Sequence, residues 1–362
     1  MIRISKRTSI PAYKAWLIRL AAIAAALILN AVFIYLLTGM NPLNVYISMF
    51  EGAFGTRRRL FNTLRDIMTL LCIGVGLAPA FKMKFWNIGA EGQVLMGGLV
   101  SAACMIYFNK LPSALLIIIM FVLSAAAGGL WSFIPALSKA KINTNETLFT
   151  LMMNYIAIQL VSYFVTFWEN PVGSNNVPVL NPETQKGWFP VIFGNPYALN
   201  IIIVLAITVL MYFYLKYTKH GYEIAVIGES KNTARYAAIN VPAATLRTVS
   251  LSGAVCGIAG FIAVAGQTHT ISVGTAGGRG FIAIIVAWLA KFNTFVMILI
   301  SALLVFLEKG AIEIASRYNI NDNVSQMIMG VILFFILGSE FFINYRMNFD
   351  KKNKPEKAAQ ED

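Results

Sequence analysis

Residues 85–93 have the sequence Phe-Trp-Asn-Ile-Gly-Ala-Glu-Gly-Gln (FWNIGAEGQ). They separate two strongly apolar runs, LLCIGVGLAPAF at 70–81 and VLMGGLVSAACMIYF at 94–108, each typical of a helix in lipid. A carboxylate at mid-bilayer is unfavourable by about 3 kcal/mol or more on insertion scales. Glu91 is therefore expected to face the interior of a helix bundle or a wet cavity, and the protein is expected to be a membrane protein.

Within this stretch, Asn87 and Glu91 are four residues apart and lie on one face if the segment is helical. The two glycines beside Glu91 let another backbone approach closely or let the helix break. The functional interpretation is an element that lines a translocation path or acts as a hinge. The plainer alternative is that Lys84 and Trp86 mark the membrane interface, which leaves Glu91 about one turn deep and partly wet.

The composition supports a membrane class throughout the chain. Of 362 residues, 58% are hydrophobic and only 12% are charged, whereas soluble domains have about 25% charged residues. We predict an all-α polytopic membrane protein with about ten transmembrane helices, some short or broken. The predicted spans are 16–38, 61–81, 86–108, 112–137, 147–168, 198–217, 246–267, 278–291, 294–309 and 324–345.

The charge distribution predicts how the chain is arranged. Lys and Arg concentrate in a cytoplasmic N-terminal arm (1–15), in alternate loops of the transmembrane domain (16–346) and in a charged, disordered tail (347–362). This bias places both termini in the cytoplasm and explains the net charge of +13 without nucleic acid. The arginines at 57–59 fall on the outside, where an interfacial helix would let them reach lipid phosphates.

Several site classes are excluded or disfavoured. The sequence has no Gly-Lys dipeptide and hence no P-loop for ATP, and no hydrolase or zinc-protease motif. The three cysteines lie in apolar runs, and no His/Cys/Asp cluster has metal-ligand spacing. We therefore predict no catalytic residues, no metal site and no cofactor bound by this chain.

Further polar groups interrupt the other spans. Asn143 is a candidate N-cap with Glu146 as its capping-box partner, which would make these residues purely structural. That role does not extend to Asn154, whose amide bonds a neighbouring helix or lines a polar path. Gly253-x-x-x-Gly257 signals close helix packing. The long inside loop at 220–247 predicts a short helix from Lys231 to Ala238, capped by Ser230.

Together these segments resemble the permease family of bacterial ABC importers for sugars and nucleosides, the branched-chain-permease-like group. The matching stretches are FWNIGAEGQVLMGG (85–98), INTNETLFTLMMNYIA (142–157), YEIAVIGESKNTARYAAINV (222–241), LSGAVCGIAGFIAV (251–264) and GRGFIAIIVAWLAKFN (278–293). Within the group, NIGAEGQ is most similar to the longer permease of nucleoside importers that use basic-membrane-protein-type lipoproteins.

The resemblance implies a transport subunit in a bacterial plasma membrane, with ATP and Mg used by a separate ATPase. It implies a second, related permease and an extracellular lipid-anchored binding protein that delivers a nucleoside. Residues 222–241 would contain the coupling helix that contacts the ATPase, with Gly228, Glu229, Ser230, Ala234, Arg235 and Tyr236 as the coupling residues. The expected path or substrate residues are Asn87, Glu91, Gln93, Asn145, Glu146, Asn154 and Gln267.

Two alternatives remain at this stage. The same machinery could transport a simple sugar such as ribose or galactose, because Asn, Gln and Glu side chains suit a sugar nearly as well as a nucleoside. An ion-coupled secondary carrier, with Glu91 carrying the coupling ion, is the alternative from another class.

Overall fold

A computed structural model describes residues 2–6, 11–39, 41–192, 194–319 and 321–349. Most of these residues are helical. The helices are α1 (Ala12–Thr38), α2 (Pro42–Phe54), α3 (Arg57–Lys82), α4 (Ala90–Tyr107), α5 (Ser113–Ile142), α6 (Glu146–Trp168), α7 (Ala198–Tyr217), α8 (Lys219–Glu229), α9 (Lys231–Tyr236), α10 (Val241–Ala263), a π-helical turn (Val264–Thr268), α11 (Arg279–Leu289), α12 (Thr294–Tyr318) and α13 (Asp322–Asn344).

The predicted spans agree with these helices. Among the described residues, eight helices are long and apolar enough to cross a membrane, and two shorter apolar segments match the predicted spans at 278–291 and 324–345. The all-α class is therefore confirmed. Two differences are that the predicted span 86–108 begins only at Ala90, and that α2 was not predicted.

The chain divides into two compact units, Phe54–Phe306 and Met1–Ala53 with Leu307–Asp362. In the first unit, α10 packs against α3, α4 and α5. A methyl group on Gly257 would overlap the carbonyl oxygen of Ser124 on α5, and one on Gly253 would overlap the side chain of Ser132. The predicted close packing at these two glycines is confirmed, because only the missing side chains allow the backbones so near.

Burial within this unit separates inner from outer helices. α3, α4 and α10 are buried along most of their apolar length, whereas α5, α6 and α7 leave most of theirs exposed. Apolar side chains such as Ile118 and Leu210 lie on these exposed faces. In a bilayer, exposed apolar faces of this kind contact lipid, so α3, α4 and α10 form the protein interior of the unit.

In the second unit, α1 packs against α13, and Arg19 forms an ion pair with Glu340. Strands β1 (Ile2–Lys6) and β2 (Tyr345–Phe349) form an antiparallel pair. Residues 347–349 of the tail predicted to be disordered are therefore part of β2, and the remainder of that tail lies outside the described residues.

Candidate functional site

The connection between α3 and α4 is a turn rather than a helix. The backbone N–H of Phe85 donates to the carbonyl oxygen of Ala80 at 2.9 Å, and Lys84 adopts a left-handed conformation with φ of 59°. This is the hydrogen bond of a Schellman turn, which ends a helix and redirects the chain. Asn87 therefore precedes α4 whereas Glu91 lies in its first turn. The prediction that the two share one helical face is wrong.

Asn87 is fully buried and forms a reciprocal amide pair with Gln93. Its Oδ1 accepts hydrogen bonds from Nε2 of Gln93 at 3.1 Å and from the backbone N–H of Gly89 at 3.0 Å. Its Nδ2 lies 3.5 Å from Oγ of Ser252 on α10. The two predicted path residues thus satisfy each other and attach the turn to α10.

Asn154, in the middle of α6, holds the start of α4 from the other side. Its Oδ1 accepts the backbone N–H of Gly92 at 2.8 Å, and its Nδ2 donates to the carbonyl oxygen of Ile88 at 2.9 Å. Thr150, one turn earlier, accepts the N–H of Ile88 at 3.1 Å. Because the first N–H groups of a helix have no acceptor within it, Asn154 supplies one from a neighbouring helix.

Glu91 caps a second helix rather than its own. Its Oε1 accepts the backbone N–H of Gly278 at 2.7 Å, and its Oε2 accepts that of Gly280 at 2.8 Å. These two groups belong to the N-terminus of α11, where a carboxylate is stabilised by the helix dipole. A methyl group on Gly280 would overlap the backbone nitrogen of Glu91, so the contact requires glycine there.

Arg279, between the two glycines, reaches a second buried carboxylate. Its Nη2 lies 3.0 Å from Oδ1 of Asp66 on α3, and Asp66 is fully buried. Nε of Arg65 also contacts Oδ1 of Asp66 at 3.0 Å, and Nη2 contacts Oδ2 at 3.2 Å. The Arg65 guanidinium lies 5.2 Å from the ring centre of Tyr197. One carboxylate therefore bridges two arginines from α3 and α11.

These charges balance, and sequence analysis missed three of them. Two carboxylates, Glu91 and Asp66, lie with the two guanidinium groups of Arg65 and Arg279. A buried charge is tolerated when it is paired and hydrogen-bonded, which is the case for each carboxylate here. The signal available in the sequence was the Arg65-Asp66 dipeptide inside a predicted span, since ionisable groups in a membrane segment mark function or structure of this kind.

Gln267 lies on the π-helical turn that follows α10. Its Nε2 donates to Oγ1 of Thr69 on α3, one turn from Asp66. Gly266 beside it packs against the side chain of Asn200 on α7. Asn200 is fully buried, and no described group bonds its carboxamide. The π-turn thus brings polar side chains of α3, α7 and α10 together, as such turns often do at functional sites.

Asn145 and Glu146 have structural roles at the start of α6. Oδ1 of Asn145 accepts the N–H groups of Thr147 at 3.1 Å and Leu148 at 3.3 Å, which makes Asn145 the N-cap. Glu146 forms an ion pair with Lys139 of α5 at 2.8 Å. The predicted cap at Asn143 is wrong: this residue ends α5 in a left-handed conformation with φ of 51°. It supplies the turn, and the next available amide supplies the cap.

The predicted coupling residues form a short exposed segment. Ser230 caps α9 by accepting the N–H of Thr233 at 3.3 Å, as predicted, although α9 ends at Tyr236 rather than at Ala238. Glu229 and Arg235 are exposed, and Tyr236 exposes 93% of its surface. Large exposed aromatic and charged groups on one short helix are typical of a protein interface.

Two further coupling residues attach this segment to the membrane helices. Ala234 is fully buried on the inner face of α9. A methyl group on Gly228, at the end of α8, would overlap the carbonyl oxygen of Lys82, the last residue of α3. The end of α8, directly before the exposed helix α9, therefore lies against the last residue of the central helix α3.

A cavity of about 390 Å³ lies beside α9. Basic side chains dominate its charged lining, and the one carboxylate among its lining residues, Glu146, is already paired with Lys139. The other basic groups are Lys84, Lys231 and Arg235. The exposed surface around Glu229, Arg235 and Tyr236, together with this cavity, is called the coupling face after its predicted role. The basic lining of the cavity gives this face a positive potential that attracts acidic groups.

The residues predicted for the translocation path therefore fall into three places. Asn87, Glu91, Gln93 and Asn154 lie in one buried network around the start of α4, which we call the α4 network. Gln267 bonds α3 beside Asp66, and Asn145 and Glu146 lie at the opposite end of α6 from its junction with the 169–197 loop.

Comparison with known proteins identifies the family. Residues 59–337 match the family described as "Branched-chain amino acid transport system / permease component". The chain belongs to this family. It is an ABC transporter permease, and the resemblance inferred from the sequence motifs is confirmed. No solved structure matches the chain.

Three relatives are similar over most of their length. The guanosine ABC transporter permease protein NupP of Bacillus subtilis is 28% identical, over 93% of this chain and 97% of the relative. The glucose ABC transporter permease protein TsgB13 of Haloferax volcanii is 26% identical, over 97% and 95%. The nucleoside ABC transporter permease protein NupB of Lactococcus lactis is 26% identical, over 88% and 90%.

Proposed function

We propose that this chain is the permease subunit of an ATP-driven importer of nucleosides in a bacterial plasma membrane. The observation that carries the proposal is the end-to-end similarity to two permeases named for guanosine and nucleoside transport. A nucleoside is neutral, and a neutral cargo fits a protein in which the two buried carboxylates, Glu91 and Asp66, are already compensated by groups of the chain itself. Both termini lie in the cytoplasm in this proposal, as the Lys/Arg distribution predicts.

In this proposal, a separate ATPase hydrolyses ATP with Mg and binds the coupling face. Glu229, Arg235 and Tyr236 are exposed on this face, and the contact between Gly228 and Lys82 transmits its movement to α3. Because the sequence has no P-loop, the ATP site belongs to that partner. A second, related permease completes the path, and a lipid-anchored binding protein delivers the nucleoside from outside.

The α4 network has a positioning role in this scheme. Glu91 fixes the start of α11, and Asn87, Gln93 and Asn154 fix the turn before α4. We propose that these residues keep the N-terminal ends of α4 and α11 in fixed positions during transport. The residues would then shape the path without binding the nucleoside directly. Gln267 belongs to a different place, the π-turn after α10, where it bonds Thr69 of α3.

A sugar is the second candidate cargo, because one close relative is named for glucose transport. The decisive experiment is uptake of labelled guanosine by cells with and without the gene, in competition with unlabelled nucleosides, free bases, ribose and glucose. We expect gene-dependent uptake that nucleosides block and that ribose and glucose do not. Loss of sugar uptake on deletion, with unchanged guanosine uptake, would move the cargo to the sugar class.

Energy coupling requires its own measurement. In vesicles that contain the complete transporter, we expect labelled guanosine to accumulate only when ATP reaches the ATPase side. A secondary carrier would instead accumulate guanosine from an ion gradient without ATP. Gradient-driven accumulation in ATP-free vesicles would therefore reject the ABC mechanism while leaving the choice of cargo intact.

A further inference from the structure

The beginning of α3 carries an unusual density of positive charge. Arg57 and Arg58 form its first turn, directly after the N-cap Thr56, and no acidic residue is present there. The N-terminus of a helix carries a partial positive charge of its own, so that cations there are unfavourable unless an anion compensates them. Neither arginine forms an ion pair with a carboxylate among the described residues. This end of the helix therefore has a local excess of positive charge.

The two arginines line a cavity of about 570 Å³ between the beginning of α3 and the segment before α7. Arg65, one side of whose guanidinium is bonded to Asp66, also lines it. The remaining wall includes Phe61, Asn62 and Tyr197, and no lining residue is acidic. The cavity thus presents three guanidinium groups and one amide to a single space.

Aromatic rings hold two of these guanidinium groups. The guanidinium of Arg57 lies 5.4 Å from the ring centre of Phe61, and that of Arg65 lies 5.2 Å from the ring centre of Tyr197. Nη1 of Arg65 also donates to Oη of Tyr197 at 3.4 Å. Because Arg65 already bonds Asp66 and Tyr197, it contributes mainly positive charge to the cavity. The guanidinium of Arg57, beside the Phe61 ring, can form paired hydrogen bonds to phosphate oxygens through its edge.

The cavity lies where spans begin. Both α3 and α7 cross the membrane by length and composition, and the cavity is formed at the first residues of α3 and immediately before α7. Tyrosine and arginine at the ends of spans lie at the level of lipid headgroups. The opposite end of α3, at Lys82, contacts the coupling face. The cavity is therefore at headgroup depth, on the membrane side away from α9.

We propose that this cavity binds the phosphate group of an anionic membrane lipid. The phosphate diester accepts hydrogen bonds from Arg57, Arg58 and Asn62, and its charge compensates the beginning of α3. The acyl chains leave along the apolar outer surface of the helices. The site is separate from the α4 network and from the coupling face, and its existence does not depend on which solute is transported.

Binding of phosphatidylglycerol to the purified, complete transporter tests the proposal. The probes are fluorescent phosphatidylglycerol and fluorescent phosphatidylcholine with the same acyl chains. Sodium phosphate serves as the competitor. The variant is Arg57→Gln/Arg58→Gln. Its matched control is Lys110→Gln/Lys186→Gln, which removes two charges from the loops at the same end of the helices. Arg57→Lys/Arg58→Lys keeps the positive charge but removes the planar guanidinium groups that can donate two parallel hydrogen bonds to one phosphate.

We expect the wild type and the control Lys110→Gln/Lys186→Gln to bind phosphatidylglycerol more tightly than phosphatidylcholine. Arg57→Gln/Arg58→Gln should lower that affinity about 10- to 30-fold, because each arginine near a charged lipid surface contributes about 1 kcal/mol. Arg57→Lys/Arg58→Lys should lie between them. Equal phosphatidylglycerol affinity in wild type and Arg57→Gln/Arg58→Gln would overturn the proposal.

Two other results would overturn the lipid as the source of the phosphate. Sodium phosphate that displaces the lipid at equal concentration would indicate a site for soluble anions. Unchanged lipid binding, together with loss of an acidic extracellular partner from the purified Arg57→Gln/Arg58→Gln transporter, would assign the cavity to protein docking instead.

Discussion

The α4 network and the coupling face differ in whether their charged side chains are paired within the chain or exposed. Around α4, every carboxylate has its partner within the chain: Glu91 accepts two backbone N–H groups, and Asp66 contacts two arginines. On α9 the charged and aromatic side chains of Arg235 and Tyr236 are exposed. A buried charge needs a partner within the folded chain, whereas an exposed charge is solvated by water and remains available to a partner protein.

This difference separates two kinds of functional residue. Substitutions in the α4 network should destabilise the protein itself, because they leave a buried donor or charge without a partner. Substitutions on the coupling face should leave the isolated chain unchanged and weaken only assembly with the ATPase.

Asp66→Asn should have the largest effect. It leaves the guanidinium groups of Arg65 and Arg279 without their shared carboxylate, and breaking a buried ion pair from one side is unfavourable by about 3–5 kcal/mol. We expect a large fall in the thermal unfolding temperature of the purified protein. Glu229→Gln removes an exposed carboxylate as a control and should leave that temperature unchanged. An Asp66→Asn protein as stable as wild type would show that the ion pairs contribute nothing.

Glu91→Ala should rank second. It leaves two backbone N–H groups at the start of α11 without acceptors. Each buried, unpaired N–H group lowers the free energy of unfolding by about 1–3 kcal/mol. Amide hydrogen exchange should therefore rise at Gly278 and Gly280, and uptake should fall. Glu91→Gln, which keeps one acceptor oxygen, should give an intermediate result. Unchanged exchange at both glycines would contradict the cap.

Asn154→Leu should destabilise less. The substitution removes the acceptor of the Gly92 N–H and the donor to the Ile88 carbonyl, for an expected loss of about 2 kcal/mol. The matched control is Asn145→Ala on the same helix, which removes an exposed cap and should lower stability by about 1 kcal/mol. Denaturation of the two variants side by side measures the difference. Equal losses would mean that burial of the Asn154 amide has no consequence.

The smallest effect on stability is expected at the coupling face. Glu229→Ala/Arg235→Ala should unfold at the wild-type temperature, yet retain about 5- to 30-fold less ATPase on purification, because interface residues of this kind act only in the complex. Lys219→Ala, an exposed charge at the beginning of α8, is the control and should retain the ATPase. Full ATPase retention by the double variant would remove α9 from the interface.

Much of the α4 network was predictable in identity but not in geometry. The sequence pointed to Asn87, Glu91, Gln93 and Asn154 because polar groups in apolar spans are rare. It placed Asn87 and Glu91 on one helix face, whereas the Schellman turn at Lys84 ends α3 and α4 begins only at Ala90, so that Asn87 lies outside the helix that contains Glu91. That turn has a lysine in the left-handed position, where glycine or asparagine is usual, so local sequence preference gave no warning.

Arg279 shows a different failure. The arginine of Gly-Gly-Arg-Gly at 277–280 was not predicted as a site residue, because no carboxylate lies near it in the sequence to suggest a partner. Its carboxylate partner is on α3, and the glycines beside it bond Glu91, which is 189 residues from Gly280. Pairing over such separations depends on which helices become neighbours, and apolar periodicity carries no information on that.

The sequence alone was enough to predict the membrane class, the eight long spans, the close packing at Gly253 and Gly257 and the cap at Ser230. Each follows from local chemistry: apolar length, the absence of a side chain, or a hydroxyl one turn before free N–H groups. The capping of α11 by Glu91 and the bridge from Arg65 through Asp66 to Arg279 depend instead on which helices pack together in the folded chain. These contacts form because a low-dielectric interior requires every charge to find a partner, whichever helix supplies it.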